Sequence, residues 1–407
     1  MLSKQQGRIR SLYQVAKAYK GQDQIGVPSL TRALELTNYG DWGKLDMSYH
    51  RECPKIIQPN QILVRNLASS LNRHDFEMKT GYIQPYLDIC RKTAGEKAEG
   101  FELPLVLGRD FAGVVMDTGP DVKLFTPGDE VFGATSSFGQ GCFSDFVVVE
   151  QNNARHKPPN LSFVEAASLP YVSGAVMTAC CQSGLKRQYY KNLTGKRVLI
   201  HGAGGGVGTI AVQLLKSAGA HIVTTSLVRS FKLLKSLGAD ETLAFRAKDF
   251  IVDLETLDKF DLILDIPGHC DGFLLRCINR RGSYVSFKQR LYENIHEEDI
   301  DLAFGMMKDI LLTKARLRMK YGCKYYYFSY MPPHPYYLDY LLDFLEDGTI
   351  VPVVQDVIGL EEIPDAMKRI EKEDVQGKTV VDMMLLPEEA RQLHRGETEA
   401  VGEIAEG

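Results

Sequence analysis

Five glycines lie within seven residues, directly after an apolar β-branched stretch: residues 197–209 read RVLIHGAGGGVGT. Glycine permits a tight turn and lets the backbone approach a ligand closely, and the free N–H groups at the start of a helix attract an anion. A strand, such a turn and a helix in this order are the setting of a dinucleotide-binding loop. The alternative is a glycine-rich turn without a ligand. The residues that we expect to hold a pyrophosphate are Gly202, Gly204, Gly205, Gly206, Val207 and Gly208.

The end of the next strand indicates which nucleotide binds. An NAD-selective site usually carries an Asp or Glu there, which binds the ribose 2′-hydroxyl. Here the strand ends in VTTSLVRS, with no acidic residue between Val223 and Ser230. Ser226 can hydrogen-bond a 2′-phosphate, and Arg229 can pair with it through a charge-assisted hydrogen bond. We therefore predict NADPH as the cofactor. The alternative for Arg229 is a solvated base at the start of a helix.

The sequence does not indicate a metal centre. Zinc sites need Cys and His ligands at defined spacings, but Arg109 and Asp110 follow LPLVLG, and His74 has no Cys or Glu at ligand spacing nearby. The eight cysteines include no C-x-x-C pair, which favours reduced thiols in a reducing compartment. We predict that the protein binds no metal.

Without a metal, hydrogen-bond donors must polarise a substrate carbonyl, and a bound nicotinamide must supply the hydride. The candidate donors are Asn72, His74 and Tyr82 in the first part of the chain, and the tyrosine run 325–327 in the last part. Asn72 and Tyr82 are our candidates for catalytic residues. For each of them, the alternative is a role in packing or in a structural hydrogen bond.

The pattern along the chain predicts the elements that position these residues. The first part contains short β-rich runs separated by Gly and Pro turns. From Val198 onward strands and helices alternate, which predicts a parallel, doubly wound sheet with right-handed crossovers. After about Tyr321 the sequence becomes β-rich again, apart from one predicted helix. We therefore expect an α/β protein in which a β-rich domain (27–165 and 321–386) is interrupted by a nucleotide-binding domain (166–320).

Composition and charge exclude some classes of function. The chain has 407 residues and a net charge of −4, which gives no reason to expect a nucleic-acid partner. No apolar run reaches the roughly 18 residues that a transmembrane helix needs. Residues 1–26 are basic, nearly free of acidic residues and amphipathic, which is typical of a mitochondrial transit peptide; a frayed basic helix is the alternative. Residues 387–407 are acidic and predict a disordered tail.

Several of these motifs resemble one family. The stretches LGRDFAGVVMDTGPDVKLFTPGDEVFG, EAASLPY, TGKRVLIHGAGGGVG, SLGADE, FDLILD and GKTVVDM occur in this order between about Pro28 and Met384. Together they resemble the medium-chain dehydrogenase/reductase superfamily, in its zinc-free quinone-oxidoreductase branch. The combination is highly specific, although each motif alone is a weaker signal.

The resemblance implies a GroES-like β-rich domain enclosing a Rossmann domain, NADPH as cofactor, and reduction of a quinone or a conjugated carbonyl compound such as an enone. For the reticulon-interacting group within this branch, it further implies a mitochondrial location and a link to ubiquinone biosynthesis. It also implies a reticulon-type membrane protein as a partner.

Carried over by position, the resemblance assigns cofactor contacts along most of the chain. Gly204, Gly206 and Val207 would contact the pyrophosphate, and Ser226 with Arg229 the 2′-phosphate. The other residues that match cofactor-lining positions are Asn72, at the nicotinamide, and Phe245, Ile266, Phe287, Tyr325, Gly377 and Lys378.

Two departures from the family pattern affect this assignment. Phe245 lacks the hydroxyl of a tyrosine that is frequent at its position, and the turn after the fourth strand of the nucleotide domain reads IPGH at 266–269, where the family has a turn like NVGG. These changes leave open a reduced activity, or an activity directed to an unusual substrate.

The leading hypothesis from the sequence is a mitochondrial NADPH-dependent oxidoreductase that acts on a quinone or a conjugated carbonyl without zinc. The competing hypothesis is a scaffold or interaction protein that binds NADPH with little or no turnover. An edge strand of the Rossmann sheet could also pair two subunits into a homodimer.

Overall fold

The computed structural model describes residues 27–40, 44–81, 103–135, 139–183, 192–268, 272–287, 311–312, 314–327, 335–372 and 375–385. The expected transit peptide (1–26) and acidic tail (387–407) lie outside the described residues, and so does Tyr82.

Sixteen strands and ten helices are described in these parts of the chain. The strands are β1 (Leu30–Leu36), β2 (Leu45–Glu52), β3 (Gln61–Ser70), β4 (Leu105–Val106), β5 (Asp110–Thr118), β6 (Glu130–Ala134), β7 (Phe146–Glu150), β8 (Ala154–His156), β9 (Arg197–His201), β10 (His221–Ser226), β11 (Glu241–Ala244), β12 (Phe260–Asp265), β13 (Ile278–Ser286), β14 (Lys324–Tyr327), β15 (Val354–Ile358) and β16 (Lys378–Asp382). The helices are α1 (Arg73–Lys79), α2 (Phe163–Ala167), α3 (Pro170–Gln182), α4 (Gly206–Ser217), α5 (Phe231–Ser236), α6 (Phe250–Thr256), α7 (Gly272–Arg276), α8 (314–321), α9 (Pro335–Glu346) and α10 (Ile363–Lys372).

The β-rich domain contains two sheets. The larger has the strand order β15–β16–β3–β5–β6–β8, with β7 also paired to β3, and the smaller has the order β2–β1–β4. Strand β16 pairs antiparallel with β3, so the C-terminal segment joins the first part of the chain, as the sequence predicted. This domain is the GroES-like half of the fold.

The nucleotide domain contains one six-stranded sheet with the order β11–β10–β9–β12–β13–β14. All five strand pairs are parallel. This is the order 3-2-1-4-5-6 of a Rossmann fold, in which the order reverses between the first and fourth strands. Because ligands bind beyond the carboxyl ends of the strands at this reversal, the fold places the candidate site where β9 and β12 end.

Two sequence predictions differ from the structure. The domain boundary predicted at 321 is wrong, because β14 pairs with β13 and belongs to the Rossmann sheet. The stretch GFLLRCINRRG (272–282), for which the sequence pattern predicts a helix, is helical only up to Arg276, and β13 already begins at Ile278. Short apolar runs fit a strand and a helix equally well, so the pattern alone could not separate them.

The helix pair α3 and α4 joins the two domains. Residues of both helices share one apolar core with strands β9, β10 and β12, and with Ala68, Ala112 and Phe132 of the β-rich domain. The stretch Phe163–Gln182 is long and apolar enough to cross a bilayer, but 83% of its most apolar window is buried inside the protein. Burial of this kind is what a core helix of a folded domain shows.

Candidate functional site

The glycine loop leaves the sheet at the carboxyl end of β9 and enters α4. Gly202 has a φ of +76°, and a Cβ there would lie 2.7 Å from Cδ of Pro267, so this turn requires glycine. The N–H of Gly202 donates to the carbonyl of Thr225 (3.1 Å) and to its hydroxyl (3.2 Å). The same hydroxyl lies 2.7 Å from Nδ1 of His201. Hydrogen bonds from β10 therefore fix the first residue of the loop.

The start of α4 leaves open space in front of the loop. Gly205 is the N-cap of the helix, and nothing lies within 4 Å of the position that a Cβ would take there. The N–H groups of the first helical turn have no partner inside the helix, and the helix dipole adds partial positive charge at this end. Bare backbone donors beside open space fit the pyrophosphate of a dinucleotide.

The loop is also attached to the β-rich domain. The N–H of Gly377 donates to the carbonyl of Gly204 (2.8 Å), and Gly205 and Gly377 form an isolated parallel bridge. A Cβ on Gly206 would lie 2.6 Å from Cδ of Lys378. The glycine loop and the start of β16 thus form one wall of the cleft between the domains, which brings Gly377 and Lys378, two members of the predicted cofactor set, to the loop.

The end of β10 carries no carboxylate. Ser226 is buried, and its hydroxyl donates to the carbonyl of Leu227 (3.1 Å). Arg229 is exposed in the 3-10 turn Val228–Ser230 that follows, and it makes no hydrogen bond or ion pair with the residues that the structure describes. The turn therefore presents a free guanidinium next to the glycine loop.

Two further polar residues lie at this end of the cleft. The hydroxyl of Ser230 is buried, accepts a hydrogen bond from Nε2 of Gln376 (3.1 Å), and lies 3.1 Å from the position of a Cβ on Gly204. The sequence analysis missed both residues. Their only signal was position: Ser230 ends the acid-free segment, and Gln376 precedes the GKTVV motif.

The remaining strand ends complete the cofactor edge. Phe245, Ile266 and Phe287 directly follow β11, β12 and β13, so all three lie at the carboxyl edge of the sheet. Ile266 and Phe287 are partly buried and pack, together with Val207, against the core between α4 and the sheet. These predicted residues thus share the carboxyl edge of the sheet with the glycine loop, although Phe245 packs in a different apolar cluster from Ile266 and Phe287.

Asp265 fixes the turn that carries Ile266. The carboxylate is fully buried, accepts from the N–H of Gly268 (3.0 Å), and accepts the phenol hydrogen of Tyr284 (2.6 Å). The sequence analysis did not identify this pair, because the two residues lie on separate strands.

A network of buried polar side chains starts at Lys378, beside the glycine loop, and extends toward the other end of the cleft. We call it the buried network: Ser70, Asn72, Asp110 and Lys378. Oδ2 of Asp110 accepts from the Ser70 hydroxyl (2.6 Å) and from Nδ2 of Asn72 (2.8 Å). Nζ of Lys378 donates to Oδ1 of Asn72 (2.6 Å) and to the carbonyl of Leu71 (2.7 Å). It lies 3.5 Å from Oδ2 of Asp110. Both ends of the Asn72 amide are therefore bound to charged partners.

A second buried carboxylate supports this network. Asp75 in α1 accepts the N–H of Asn72 (2.8 Å) and that of Gly108 (2.9 Å). Burial raises the pKa of Asp75 to about 6, although the positive charge of Arg109 opposes the shift. Burial also lowers the pKa of Lys378, while Asp110 and Asp75 act in the opposite direction.

The remaining tyrosine candidates are Tyr82 and the run 325–327, and the structure does not describe their side chains. Tyr82 lies outside the described residues. Tyr325 is described by its backbone alone, which pairs with Tyr284 in the edge strand β14. His74, which the sequence gave as a further candidate donor, has its ring stacked on Tyr171, with 6.0 Å between the centroids.

No group of three or more His, Cys, Asp or Glu side chains in the described parts of the chain could hold a metal ion. At the position where the sequence analysis looked for a zinc ligand, Arg109 is fully buried, and its Nη1 donates to the carbonyl of Gly139 (3.0 Å). The adjacent Asp110 belongs to the buried network, where ammonium, amide and hydroxyl groups occupy its oxygens.

Comparisons with known proteins agree with this architecture. Residues 58–159 match the family model described as "Alcohol dehydrogenase GroES-like domain", and residues 237–381 match the one described as "Zinc-binding dehydrogenase". The first falls in the β-rich domain. The second spans part of the Rossmann sheet and the C-terminal return to the β-rich domain.

Three individual proteins illustrate the similarity. The chain is 35% identical over 357 residues to the Mus musculus protein named "NAD(P)H oxidoreductase RTN4IP1, mitochondrial", covering 86% of this chain and 89% of that one. It is 29% identical to "Quinone-oxidoreductase QR1, chloroplastic" of Triphysaria versicolor, covering 87% and 98%. The solved quinone oxidoreductase from Coxiella burnetii superposes with a TM-score of 0.68 at 24% identity, covering 87% and 99%.

Proposed function

The chain belongs to the medium-chain dehydrogenase/reductase superfamily, and from this premise we propose that it is an NADPH-dependent oxidoreductase that reduces a quinone or a conjugated carbonyl compound. The observation that carries the proposal is the combination of an open glycine cradle at α4 with an acid-free end of β10. A relative named as a quinone oxidoreductase, matched over nearly its whole length, supports the substrate class.

The preference for NADPH rests on charge at the end of β10. An exposed Arg229 without a partner among the described residues is available to a 2′-phosphate, and Ser226 lies at the end of the same strand. A carboxylate here would instead bind the 2′-hydroxyl of NADH and repel the phosphate. Ser230 adds a second hydroxyl beside Gly204, so we include it among the residues that bind the adenosine end.

The remaining cofactor contacts follow from position. We propose that the first turn of α4 binds the pyrophosphate, and that Ile266, Phe287 and the start of β16 flank the nicotinamide half. When bound, the reduced nicotinamide supplies a hydride to the substrate, which also takes up one proton. Lys378 and Asp110 hold the amide of Asn72 in one orientation, because each end of the amide has a fixed partner. Asn72 is thus a positioning residue at the reacting end of the cleft.

We also propose that the reaction needs no zinc. In the buried network, the ammonium group of Lys378 already lies between Oδ1 of Asn72 and Oδ2 of Asp110, so the place of a divalent cation is taken by a side chain. Arg109 adds a second positive charge close to the neighbouring carboxylate of Asp75. A zinc site prefers Cys and His donors, whereas this cluster offers a lysine, an amide and a carboxylate.

The cofactor assignment is tested by titrating the purified protein with NADPH and with NADH. We expect clearly tighter binding of NADPH, and equal affinities would contradict the assignment. Oxidation of NADPH is then followed anaerobically with a panel of quinones and enones, before and after dialysis against a chelator. Turnover that survives the chelator supports a zinc-independent reaction, and turnover restored only by added zinc contradicts it.

One observation favours the competing function, a cofactor-binding scaffold without turnover. The amide of Asn72 is bound at both ends inside the protein, so it offers no free group to a substrate carbonyl. The anaerobic panel separates the two functions. Tight NADPH binding without oxidation by any acceptor would support the scaffold.

We further propose that the protein is mitochondrial, in the matrix or associated with the inner membrane, and serves ubiquinone biosynthesis. A relative 35% identical to this chain is named mitochondrial, and the basic residues 1–26 would act as the transit peptide. The resemblance to the reticulon-interacting group adds a reticulon-type membrane protein as a partner. Import into mitochondria of a fluorescent protein fused to residues 1–26 tests the mitochondrial location directly.

The domain limits and the subunit state are proposals as well. With β14 assigned to the Rossmann sheet, the β-rich domain resumes only after Tyr327, and the edge of β14 is available to pair two copies into a homodimer. Sedimentation equilibrium of the purified protein tests the homodimer.

A further inference from the structure

Helix α8 and the short helical segment 311–312 before it expose apolar side chains on the surface that faces away from the protein. Leu311, Leu312 and Met319 are 60%, 50% and 81% exposed, whereas Leu317 and Tyr321 pack against the core beneath the Rossmann sheet. Residues 311–312 are helical, as are 314–321. The segment therefore has an apolar side on the core and a second apolar side in solvent.

The exposed apolar residues form a stripe with positive charges along both borders. Residues four apart lie on one face of a helix, so Ala315 and Met319 are stacked in line within α8. Arg318 lies on one border of this line, three residues after Ala315. Arg316 lies on the other border, three residues before Met319. Both arginines are exposed.

The positive charge continues beyond the helix. The N–H of Arg281 donates to the carbonyl of Gly322 (2.9 Å), and Gly322 also lies against the side chain of Arg280. Residues 311–327 include no Asp or Glu, although the whole chain is acidic. We call this surface the basic face; its exposed members are Leu311, Leu312, Arg316, Arg318, Met319, Lys320, Lys324, Arg280 and Arg281.

We propose that the basic face docks on the surface of a bilayer that contains anionic phospholipids. An apolar stripe bordered by arginine and lysine is the pattern of a helix that lies in a membrane interface: the apolar side chains enter the acyl boundary and the bases contact lipid phosphates. Like charges disfavour self-association through α8, and the homodimer proposed above would use the backbone edge of β14 rather than the apolar stripe. An acidic protein segment would neutralise the charges but leave the apolar stripe without an apolar partner.

Docking and cofactor binding involve different ends of the Rossmann sheet. Arg280, Arg281 and Lys324 lie toward the amino ends of β13 and β14, whereas the cofactor edge lies at the carboxyl ends. The proposal deepens the proposed function, since a membrane-bound protein has access to lipid-soluble quinones, but its test needs no turnover. Failure of docking and failure of the oxidoreductase assignment can therefore be told apart.

The test uses the full chain with vesicles of phosphatidylcholine alone and with about one third phosphatidylglycerol. We expect co-sedimentation with the anionic vesicles only, and slower backbone hydrogen exchange within 311–321 when vesicles are present. The strand Val354–Ile358 serves as an internal reference. The exchange measurement localises the contact even if the basic residues 1–26 also bind the vesicles.

Two triple variants separate charge from apolar insertion. Each base near an anionic surface contributes roughly fivefold to binding, so Arg316→Gln/Arg318→Gln/Lys320→Gln should weaken the α8-dependent binding about a hundredfold. Leu311→Ser/Leu312→Ser/Met319→Ser should weaken it about tenfold or more. The charge-matched control is Lys55→Gln/Lys123→Gln/Lys368→Gln, which removes three exposed lysines elsewhere and should retain the protection of 311–321.

Three results would overturn the proposal. The first is exchange in 311–321 that anionic vesicles leave unchanged. The second is protection without vesicles that grows with protein concentration, which would identify a second copy as the occupant. The third is protection without vesicles that disappears when residues 386–407 are deleted, which would identify the acidic tail. Circular dichroism and NADPH affinity verify that each variant is folded.

Discussion

The two ends of the cleft are built from different parts of the polypeptide. At the glycine loop, backbone N–H groups that face open space are the proposed cofactor ligands, and no side chain projects from Gly204, Gly205 or Gly206. In the buried network, two side chains 306 residues apart in sequence, Asn72 and Lys378, are held by ionic hydrogen bonds without solvent. One added methyl group can fill or block the glycine loop, whereas the buried network should respond mainly to changes of charge.

The largest effect is expected in the buried network. Asp110→Ala leaves the buried ammonium group of Lys378 without its carboxylate, and breaking one partner of a buried ion pair costs about 3–5 kcal/mol. Urea denaturation should therefore show a loss of that size in the free energy of unfolding. Asp365→Ala is the control, since its pair with Lys368 is exposed and contributes less than about 1 kcal/mol. Equal losses in the two variants would show that the network does not hold paired charges.

Asp75 gives the network a pH dependence. Its pKa is about 6 in the folded protein and ordinarily 3.8, so the folded state binds this proton more tightly than the unfolded chain. The resulting stabilisation is complete below pH 3.8 and is lost as the pH rises through 6. The free energy of unfolding of the wild type, relative to Asp75→Asn, should thus fall by about 2 kcal/mol between pH 4 and 7. A difference that stays constant over this range would argue against a raised pKa.

The sequence predicted the glycine loop better than the buried network, for a physical reason. The loop is local: strand, turn and helix start lie within residues 197–209, and the residue types that the turn needs are visible there. In the network, Asp110 was identified only as part of a departure from a zinc ligand pattern. Its partner Lys378 lies on the returning strand β16, and one sequence does not reveal such a pairing.

For the fold as well, local patterns were predicted from the sequence better than pairings between distant segments. The parallel order of β9 to β13 followed from alternating strands and helices, but the assignment of β14 did not. An aromatic strand with the sequence KYYY fits either sheet, because its pattern does not indicate which neighbour it pairs with. The pairing of β14 with β13 is decided by tertiary contacts.

A smaller effect is expected from charge at the phosphate end. Arg229→Glu should weaken NADPH binding by about 1.5–3 kcal/mol, the contribution of a charged hydrogen bond, while NADH binding should be nearly unchanged. Isothermal titration with both cofactors measures this difference. Lys232→Glu is the matched control, because it introduces the same charge at an exposed base three residues further along the chain. If both variants lose NADPH affinity equally, the effect is general electrostatics rather than a contact with Arg229.

The smallest change tests the backbone character of the loop. Gly205 has a φ of −84°, which alanine adopts without strain, and its missing Cβ faces open space. Gly205→Ala should therefore leave the free energy of unfolding within about 0.5 kcal/mol of the wild type. The added methyl group would occupy the space in front of the α4 N–H groups, so NADPH and NADH should both bind about tenfold more weakly.

Gly272→Ala is the matched control for this last variant. Gly272 also has open space at its Cβ position, but it begins α7 after β12 and is not part of the glycine loop. It should retain stability and should lose less cofactor affinity than Gly205→Ala. Full NADPH affinity in Gly205→Ala would mean that the pyrophosphate does not approach the backbone at this turn. In that case side chains would have to supply the binding at this end of the cleft as well, and the contrast between the two ends would be lost.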